Sequence, residues 1–283
     1  MGSEELSESG KEQWGGAAES WARLAEEEET GASARATDWM LEGAGLASGE
    51  RVLELACGAG RVGLQAAPLV APGGSILCSD FSAEMVAAVD RRIERLGLEN
   101  VETAVLDAQD LRLEDESFDV VLCRFGYMLM PEPGRALVET ERVLRPGGRL
   151  VTAVWGPAEE NPWLTTIFEV VMERLGAPPP PPGTPGPFAL GDAEALEGRL
   201  EEACLENIEV VKLEAEQPYD SVEAWWRHTR EVGGPLAALF GALAPEDAEA
   251  IERESLARAR EYERGSGVVF PAKVLGARAM RPG

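Results

Sequence analysis

Residues 51–63 read RVLELACGAGRVG, and this stretch decides the fold of the chain. Its first five residues have the apolar character of a buried strand, and glycines follow at positions 58, 60 and 63 in the pattern G-x-G-x-x-G. Asp80 comes about twenty residues after Gly60, as in dinucleotide-binding loops. Glycines after a strand let the backbone approach a ligand and direct helix N–H groups toward it. The stretch therefore predicts a loop that binds an adenosine-bearing cofactor.

Strand and helix patterns alternate from this loop onward, which predicts an α/β fold with a mostly parallel sheet and helices on both faces. Seven strands in total are expected. Strands are predicted at 51–56, 75–80, 101–106, 118–125 and 147–155. Helices are predicted at 11–29, 33–46, 60–70, 82–97 and 135–144, with Ser82 as an N-cap.

The pattern changes after Trp155. A helix at 161–175, a helix at 191–203, a strand at 207–215, helices within 221–264 and a strand at 268–279 are predicted. The proline-rich stretch APPPPPGTPGP, residues 177–187, is interpreted as a stiff connector rather than a partner-binding motif. We expect one integrated domain: N-terminal helices over the cofactor site (1–46), a cofactor-binding core (47–156), and the remaining strands with a helical substrate cap at about 215–265 (157–283).

Composition narrows the function classes. The net charge of −25 repels phosphate backbones, so no nucleic acid partner is expected. No apolar run has the length of a membrane span and the acidic N-terminus lacks a signal core, so we expect a cytoplasmic protein without membrane insertion. The four cysteines show no C-x-x-C spacing, and neither disulfides nor a metal site are expected. The acidic run 26–29 is interpreted as a solvated helix face. The oligomeric state stays open.

The charge of Glu54 separates two cofactor classes. This carboxylate lies four residues before Gly58, where it would disfavour a pyrophosphate. S-adenosylmethionine carries an ammonium and a sulfonium and has no phosphate, so a carboxylate suits it. Glu54 therefore favours S-adenosylmethionine over a nicotinamide or flavin dinucleotide.

Five segments, in order, resemble the motifs of class I S-adenosylmethionine-dependent methyltransferases. They are VLELACGAG, CSDFSAEMV, AVLDAQDL, SFDVVLCRFGYMLM and VLRPGGRLVTAVW, which span about residues 50–156. The chain is most similar to the small-molecule branch that includes the quinone C-methyltransferases, which also has an N-terminal tryptophan-bearing helix, here with Trp14 and Trp21. The resemblance implies a Rossmann-like sheet of seven strands that is mostly parallel, with the last strand antiparallel. Within this resemblance Gly63 is incidental, and Ala56 is a tolerated departure from a usual glycine.

The resemblance implies a set of cofactor-binding residues. Glu54 would face the methionine ammonium, and Asp80 would accept both ribose hydroxyls. Phe81 and Met85 would pack against adenine, and Asp107 would accept from its amino group. The remaining implied cofactor-binding residues are Trp14, Ala56, Cys57, Gly58, Gly60, Ala108 and Arg124. Because an arginine beside a sulfonium is unfavourable, the Arg124 side chain is expected to turn away toward an acidic partner or the substrate.

Catalysis of methyl transfer needs a base only when the nucleophile must lose a proton. His228, the single histidine, lies in the expected cap and is one candidate; Tyr127, after the fourth strand, is the other. Cys57 and Cys123 are interpreted as packing thiols. Large apolar side chains point to an apolar or aromatic acceptor: Met128, Leu129, Met130, Trp155, Trp163, Phe168, Trp225, Trp226 and Phe240.

Three functions remain open at this point. A small-molecule methyltransferase is favoured, with C-, O- and N-methylation undecided. A methyltransferase fold that binds the cofactor without transfer is the second. A nicotinamide-dependent oxidoreductase, disfavoured by Glu54 and by the RPGG segment, is the third. Methylation of arsenic is disfavoured because the four cysteines are not grouped.

Overall fold

A computed structural model describes residues 14–27, 29–181 and 183–283. Its centre is one mixed sheet with the strand order β3-β2-β1-β4-β5-β8-β6, and β7 pairs with β8 at the side. The first five strands are parallel to one another, whereas β8 runs antiparallel to both β5 and β6. The strands are β1 (Arg51–Leu55), β2 (Ser75–Asp80), β3 (Val101–Val105), β4 (Phe118–Arg124), β5 (Leu144–Trp155), β6 (Glu206–Tyr219), β7 (Glu263–Arg264) and β8 (Gly267–Met280).

Ten α-helices accompany the sheet in the described part of the chain. They are α1 (Ala18–Leu24), α2 (Gly31–Ala44), α3 (Arg61–Val70), α4 (Ala83–Leu96), α5 (Pro133–Val143), α6 (Pro162–Leu175), α7 (Ala193–Glu202), α8 (Val222–Val232), α9 (Gly234–Ala242) and α10 (Pro245–Ala259). The predicted fold class is confirmed, with the two-residue β7 added to the seven expected strands. The Ser82 cap is also confirmed, since its side chain accepts the Met85 N–H.

Two predicted boundaries are wrong. The helix expected over 11–29 ends at Leu24, and its first three residues lie outside the described ranges. Gly31 starts a separate helix after an extended Thr30, which breaks the helical pattern. The strand predicted at 207–215 extends further than expected, because β6 pairs with β8 as far as Tyr219. The helices α8, α9 and α10 then fill the interval before β7.

The central strands form the core of the fold, and their carboxyl ends lie at the candidate cofactor site. Every residue of β4 from Val120 to Cys123 is fully buried, as expected for a parallel strand covered on both faces. On one face α2 packs against β4, β5, β6 and β8, while α1 packs against α4 and α8. The indole N–H of Trp21 donates to the Val232 carbonyl at 3.1 Å and so ties α1 to α8. In the described ranges, none of the helices has both the length and the apolar character needed to cross a bilayer.

Candidate cofactor and methyl-transfer site

The loop after β1 has the left-handed backbone that brings N–H groups into the open. Gly58 and Gly60 have φ values of 53° and 72°. A Cβ added at Gly58 would meet no atom within 4 Å, so the space above this residue is free for a ligand. Ala56 shares the left-handed conformation, with φ at 49°. The position therefore favours glycine, and the Cβ of Ala56 costs about 1 kcal/mol of backbone strain. That alanine is tolerated here stays a prediction.

Asp80 connects the loop to the second strand. It is 5% exposed, its Oδ2 accepts the Gly58 N–H at 2.9 Å, and its Oδ1 accepts the Ser82 N–H at 3.0 Å. Each carboxylate oxygen has two lone pairs, so one remains on each oxygen for a ligand hydroxyl. The carboxylate is therefore held rigidly under the open loop, at the end of β2.

Glu54 is buried beneath the same loop. It is 2% exposed, and its Oε2 accepts the Gly63 N–H at 2.8 Å and the Cys78 thiol at 3.4 Å. Burial raises its pKa to about 7, against the opposing effect of these hydrogen bonds and of Arg124. No ion-pair partner for this carboxyl is present among the described residues. A buried carboxyl without a counter-ion suits a cationic ligand.

Gly63 is not incidental, contrary to the sequence interpretation. A Cβ at this position would lie 2.4 Å from Glu54 Oε2 and 2.6 Å from Cys78 Sγ. The close approach of α3 to the carboxyl ends of β1 and β2 therefore requires glycine here. It also lets the Gly63 N–H reach the buried Glu54 carboxyl.

Glu54 should make the stability of the ligand-free protein depend on pH. Its folded-state pKa of about 7 exceeds the ordinary value of 4.5, so its contribution is full below pH 4.5 and is lost as pH rises through 7. The shift corresponds to about 3 kcal/mol in the free energy of unfolding. We expect Glu54→Gln, which cannot ionise, to become more stable than the wild type as pH is raised from 5 to 8. Urea unfolding at each pH measures this difference.

The difference between variant and wild type is the decisive quantity. Burial lowers the pKa of His228, which acts in the opposite direction over part of the same range and is common to both proteins. Glu50→Gln is the matched control, because Glu50 is paired with Arg149 at 2.8 Å and its pKa is lowered. It should gain nothing at pH 8. Parallel pH curves for Glu54→Gln and the wild type would contradict the expectation.

The residues assigned to adenine lie along the ends of β2 and β3. Met85 and Ala108 are buried, and Phe81 and Asp107 are half-buried. Asp107 Oδ1 accepts both the Gln109 N–H at 2.9 Å and its side-chain amide at 3.1 Å. Residues 14–16 form a helical turn beside this edge, since a Cβ at Gly15 would lie 2.9 Å from Glu84 Oε2. Trp14 is thus in a segment that approaches Ser82 and Glu84, and its contact with the cofactor stays a prediction.

The Arg124 side chain turns to an acidic partner, as one of the two expectations had it. Its Nη1 donates to Glu29 Oε1 at 2.6 Å, to Thr37 Oγ1 at 2.7 Å and to the Ser33 carbonyl at 3.3 Å. Glu29 Oε1 also lies 3.4 Å from Arg61 Nε. One carboxylate is therefore shared by two guanidinium groups at the ends of β4 and of the glycine loop.

The segment between α1 and α2 is fastened over the glycine loop by arginines. We call residues 24–27 and Glu29 the strap. Arg61 donates to the carbonyls of Leu24 and Glu27, and Arg92 donates to the carbonyls of Ala25 and Ala59. Glu26 forms ion pairs with Arg92 and Arg95. The interpretation of 26–29 as a solvated helix face is wrong for Glu26, Glu27 and Glu29, because these residues lie outside a helix and Glu26 and Glu29 are ion-paired.

Tyr127, the other candidate base, lies in the interior of the fold. Its side chain is fully buried, and its hydroxyl shares a 2.6 Å hydrogen bond with Thr140 Oγ1 on α5. Burial raises the pKa of this phenol well above its usual value. The chain bends at the left-handed Phe125 (φ 57°) just before it. This geometry does not favour Tyr127 as the base.

His228 lies on α8, where its ring packs against Tyr219 with centroids 5.4 Å apart. Burial lowers its pKa, while the nearby charges of Glu231 and Glu27 raise it and that of Arg23 lowers it. The histidine therefore lies on the strap side of the site and favours its neutral form. Its role as a base stays a prediction.

Aromatic rings form a continuous layer from the end of β4. Phe125 stacks on Trp155 with centroids 4.4 Å apart, and Trp155 contacts Trp163 at 4.9 Å. The Trp225 indole donates to the Trp163 carbonyl at 2.6 Å. Trp226 and Phe240 pair at 5.2 Å, and Trp226 also contacts Trp225 with centroids 6.4 Å apart. Most of the predicted apolar set is buried: Met128, Trp155, Trp163, Trp225, Trp226 and Phe240. Leu129, Met130 and Phe168 pack against the core while only partly buried.

The cysteines agree with their interpretation as packing residues. Cys57 and Cys123 are buried, and burial raises the pKa of both thiols, to about 12 for Cys123. All four cysteines are free. Within the described ranges no cluster of three or more histidine, cysteine or acidic residues could hold a metal ion.

Sequence reasoning missed four residues that shape the site: Glu29, Arg61, Gly63 and Phe125. An arginine directly after the G-x-G pattern was a usable signal for Arg61, since it starts α3 beside the loop. Glu29 had no local signal, because its partner Arg124 is 95 residues away in the chain.

Comparison with known proteins agrees with this geometry. Residues 46–172 match a family model described as a methyltransferase domain. The demethylmenaquinone methyltransferase of Clavibacter sepedonicus is 42% identical over 104 residues, which are 37% of this chain and 40% of that protein. The ubiquinone/menaquinone biosynthesis C-methyltransferase UbiE of Cellvibrio japonicus is 36% identical over 136 residues, 48% of this chain and 54% of that protein. The chain thus spans about half or less of these relatives.

A solved structure extends the fold comparison to most of the chain. Phosphoethanolamine N-methyltransferase 2 of Haemonchus contortus, in complex with phosphomonomethylethanolamine and S-adenosylhomocysteine, superimposes with a TM-score of 0.55. The alignment covers 87% of this chain and 52% of that one at 18% identity, which shows a shared fold.

Proposed function

We propose that this chain, whose residues 46–172 match a methyltransferase domain, is a class I methyltransferase that transfers a methyl group from S-adenosylmethionine to a small, apolar or aromatic acceptor. One observation carries the proposal. The open loop at Gly58 lies between a buried, doubly hydrogen-bonded Asp80 and a buried Glu54 that has no counter-ion. This combination suits a ribose and a cationic amino-acid end, and it does not suit a pyrophosphate.

In this proposal each polar group has a stated task. Asp80 accepts the ribose hydroxyls with its remaining lone pairs, and Glu54 compensates the positive charge of the methionine end. Phe81, Met85, Asp107 and Ala108 surround adenine, with Ala56, Cys57, Gly58 and Gly60 under the methionine. Because the cofactor supplies its own leaving group, the protein mainly positions the reactants and excludes water. His228 remains the candidate base for acceptors that must lose a proton.

The aromatic layer at the end of β4 supports an apolar or aromatic acceptor. Phe125 directly follows β4 and Trp155 is the last residue of β5, the two strands that flank the reacting end of the cofactor in this arrangement. A relative named demethylmenaquinone methyltransferase is similar to this chain over 104 residues. We propose a planar ring system of that general kind as the acceptor. The four free cysteines fit a reducing compartment such as the cytoplasm.

The test combines binding and transfer. Titration calorimetry with S-adenosylhomocysteine, and with NAD⁺ as the matched comparison, should show binding of the first alone. Radiolabelled S-adenosylmethionine is then incubated with a metabolite extract, the mixture is acidified so that acidic products are uncharged, and the organic and aqueous phases are counted. Label in the organic phase supports an apolar acceptor, and label confined to the aqueous phase contradicts that class. Binding of S-adenosylhomocysteine with no label in either phase favours a cofactor-binding module. Binding of NAD⁺ instead contradicts the proposal.

A further inference from the structure

Among the described residues, Arg124 forms hydrogen bonds through one of its three side-chain nitrogen atoms. Its Nη1 group donates to Glu29, Thr37 and Ser33. Neither Nη2 nor Nε donates to any described residue. The side chain is 11% exposed, and neither atom is among the fully buried polar atoms that lack a partner in the described part of the chain. Arg124 thus presents a pair of N–H groups without a described partner at the end of β4.

This free edge has a defined chemical preference. The Nε–H and one Nη2–H of a guanidinium are parallel, and they match two oxygens of a planar anion such as a carboxylate. The Glu29 contact fixes the orientation of the group, which lowers the entropy lost on binding. The Arg124 Cζ lies 5.6 Å from the centre of the Phe125 ring, which stacks on Trp155. A binding edge for oxygen anions therefore adjoins an aromatic layer.

The charges around this edge favour the binding of an anion. Arg61 and Arg124 share the single Glu29 carboxylate. The pKa of Arg61 is lowered, first by burial and also by Arg124, which shows that the two guanidinium groups interact unfavourably. A sulfonium bound at the glycine loop would add a further positive charge. An anionic acceptor would balance this excess.

We propose that the free edge of Arg124 binds a pair of acidic oxygens on the methyl acceptor, which makes the acceptor an acidic aromatic compound. The proposal rests on the function proposed above. The acceptor carries a carboxylate or an ionised hydroxyl beside a carbonyl, with its ring near Phe125 and Trp155. Its acidic proton goes to water on ionisation. In the transfer the electron pair of the acceptor forms the bond to the methyl carbon, and the C–S electron pair returns to sulfur, leaving a neutral thioether.

The cofactor has a carboxylate of its own, and the test separates the two sources. The first arm uses protein saturated with S-adenosylhomocysteine and compares 2-naphthoate with neutral 2-naphthamide by calorimetry. The wild type should bind the anion about tenfold more tightly, equivalent to ~1.4 kcal/mol. Arg124→Lys keeps the charge but lacks the planar edge, and it should reduce the ratio to about threefold or less.

Two variants control for the loss of the contact between Arg124 and Glu29 of the strap. Glu29→Gln weakens the strap but leaves the free edge, so it should keep the preference for naphthoate. Arg227→Lys changes an exposed arginine of α8 and should also keep it. An equal naphthoate-to-naphthamide ratio in the wild type and Arg124→Lys would overturn the proposal.

The second arm compares S-adenosylhomocysteine with 5′-methylthioadenosine, which lacks the amino-acid end. Arg124→Lys could weaken the binding of S-adenosylhomocysteine but not that of 5′-methylthioadenosine, with no preference for naphthoate in the wild type. In that case the edge binds the cofactor and the inference fails. Failure of the wild type to bind S-adenosylhomocysteine at all would instead contradict the proposed function.

Discussion

Gly63→Ala should lower the free energy of unfolding by about 2–4 kcal/mol. The added methyl group would lie 2.4 Å from Glu54 Oε2, 2.6 Å from Cys78 Sγ and 3.3 Å from Ile76 Cγ2. All three neighbours are on the sheet and buried, so relief requires α3 to move away from β1 and β2. That movement would also lengthen the bond from the Gly63 N–H to Glu54. Thermal unfolding should show a fall in Tm of about 5–10 °C.

Gly198→Ala is the matched control for this substitution. Gly198 is also within a helix, α7, but a Cβ there would meet no atom within 4 Å. The same chemical change should therefore stabilise the protein by about 0.5–1 kcal/mol, because alanine has the better helix propensity. Opposite signs at the two positions would establish close packing as the cause at Gly63. An unchanged Tm for Gly63→Ala would contradict it.

The fold was predictable because its signals are local. Each strand from β1 to β5 is a short apolar run, and each helix between them has its own start or stop residue. Ser82 and Gly97 bound α4 in the sequence as they do in the structure. The parallel sheet follows from this alternation alone. The antiparallel last strand came instead from the family resemblance, since no local pattern distinguishes it.

The site was predictable only where a role belongs to the backbone position of a motif. Gly58, Gly60 and Asp80 lie at strand ends, and the structure brings them together as expected. The candidacy of Tyr127 rested on its proximity to the end of β4, which does not give side-chain direction, and the structure places its hydroxyl on the buried Thr140. The chain bends at Phe125, whose positive φ is rare for this residue type and was not readable from the sequence. Glu29 depended on a pairing with Arg61 and Arg124 across the fold.

Asp80→Ala should weaken S-adenosylhomocysteine binding by about 100-fold or more. Two charge-assisted hydrogen bonds to the ribose would be lost, each worth about 1.5–3 kcal/mol. The Gly58 and Ser82 N–H groups would also lose their acceptor, so the loop itself would be less ordered. Calorimetry measures the affinity. Asp90→Ala is the control, because Asp90 is exposed and bonds only Thr103 on the neighbouring strand. It should leave the affinity unchanged.

A double cycle with a modified ligand separates ribose binding from loop order. The 2′-deoxy form of S-adenosylhomocysteine lacks one of the two hydroxyls. If Asp80 accepts that hydroxyl, the deoxy ligand should bind the wild type about tenfold or more weakly, and Asp80→Ala should bind both ligands almost equally. If instead the variant still discriminates as strongly as the wild type, Asp80 acts only by holding Gly58 and Ser82, and another group binds the ribose. The coupling energy decides between these roles because loop disorder would affect both ligands alike.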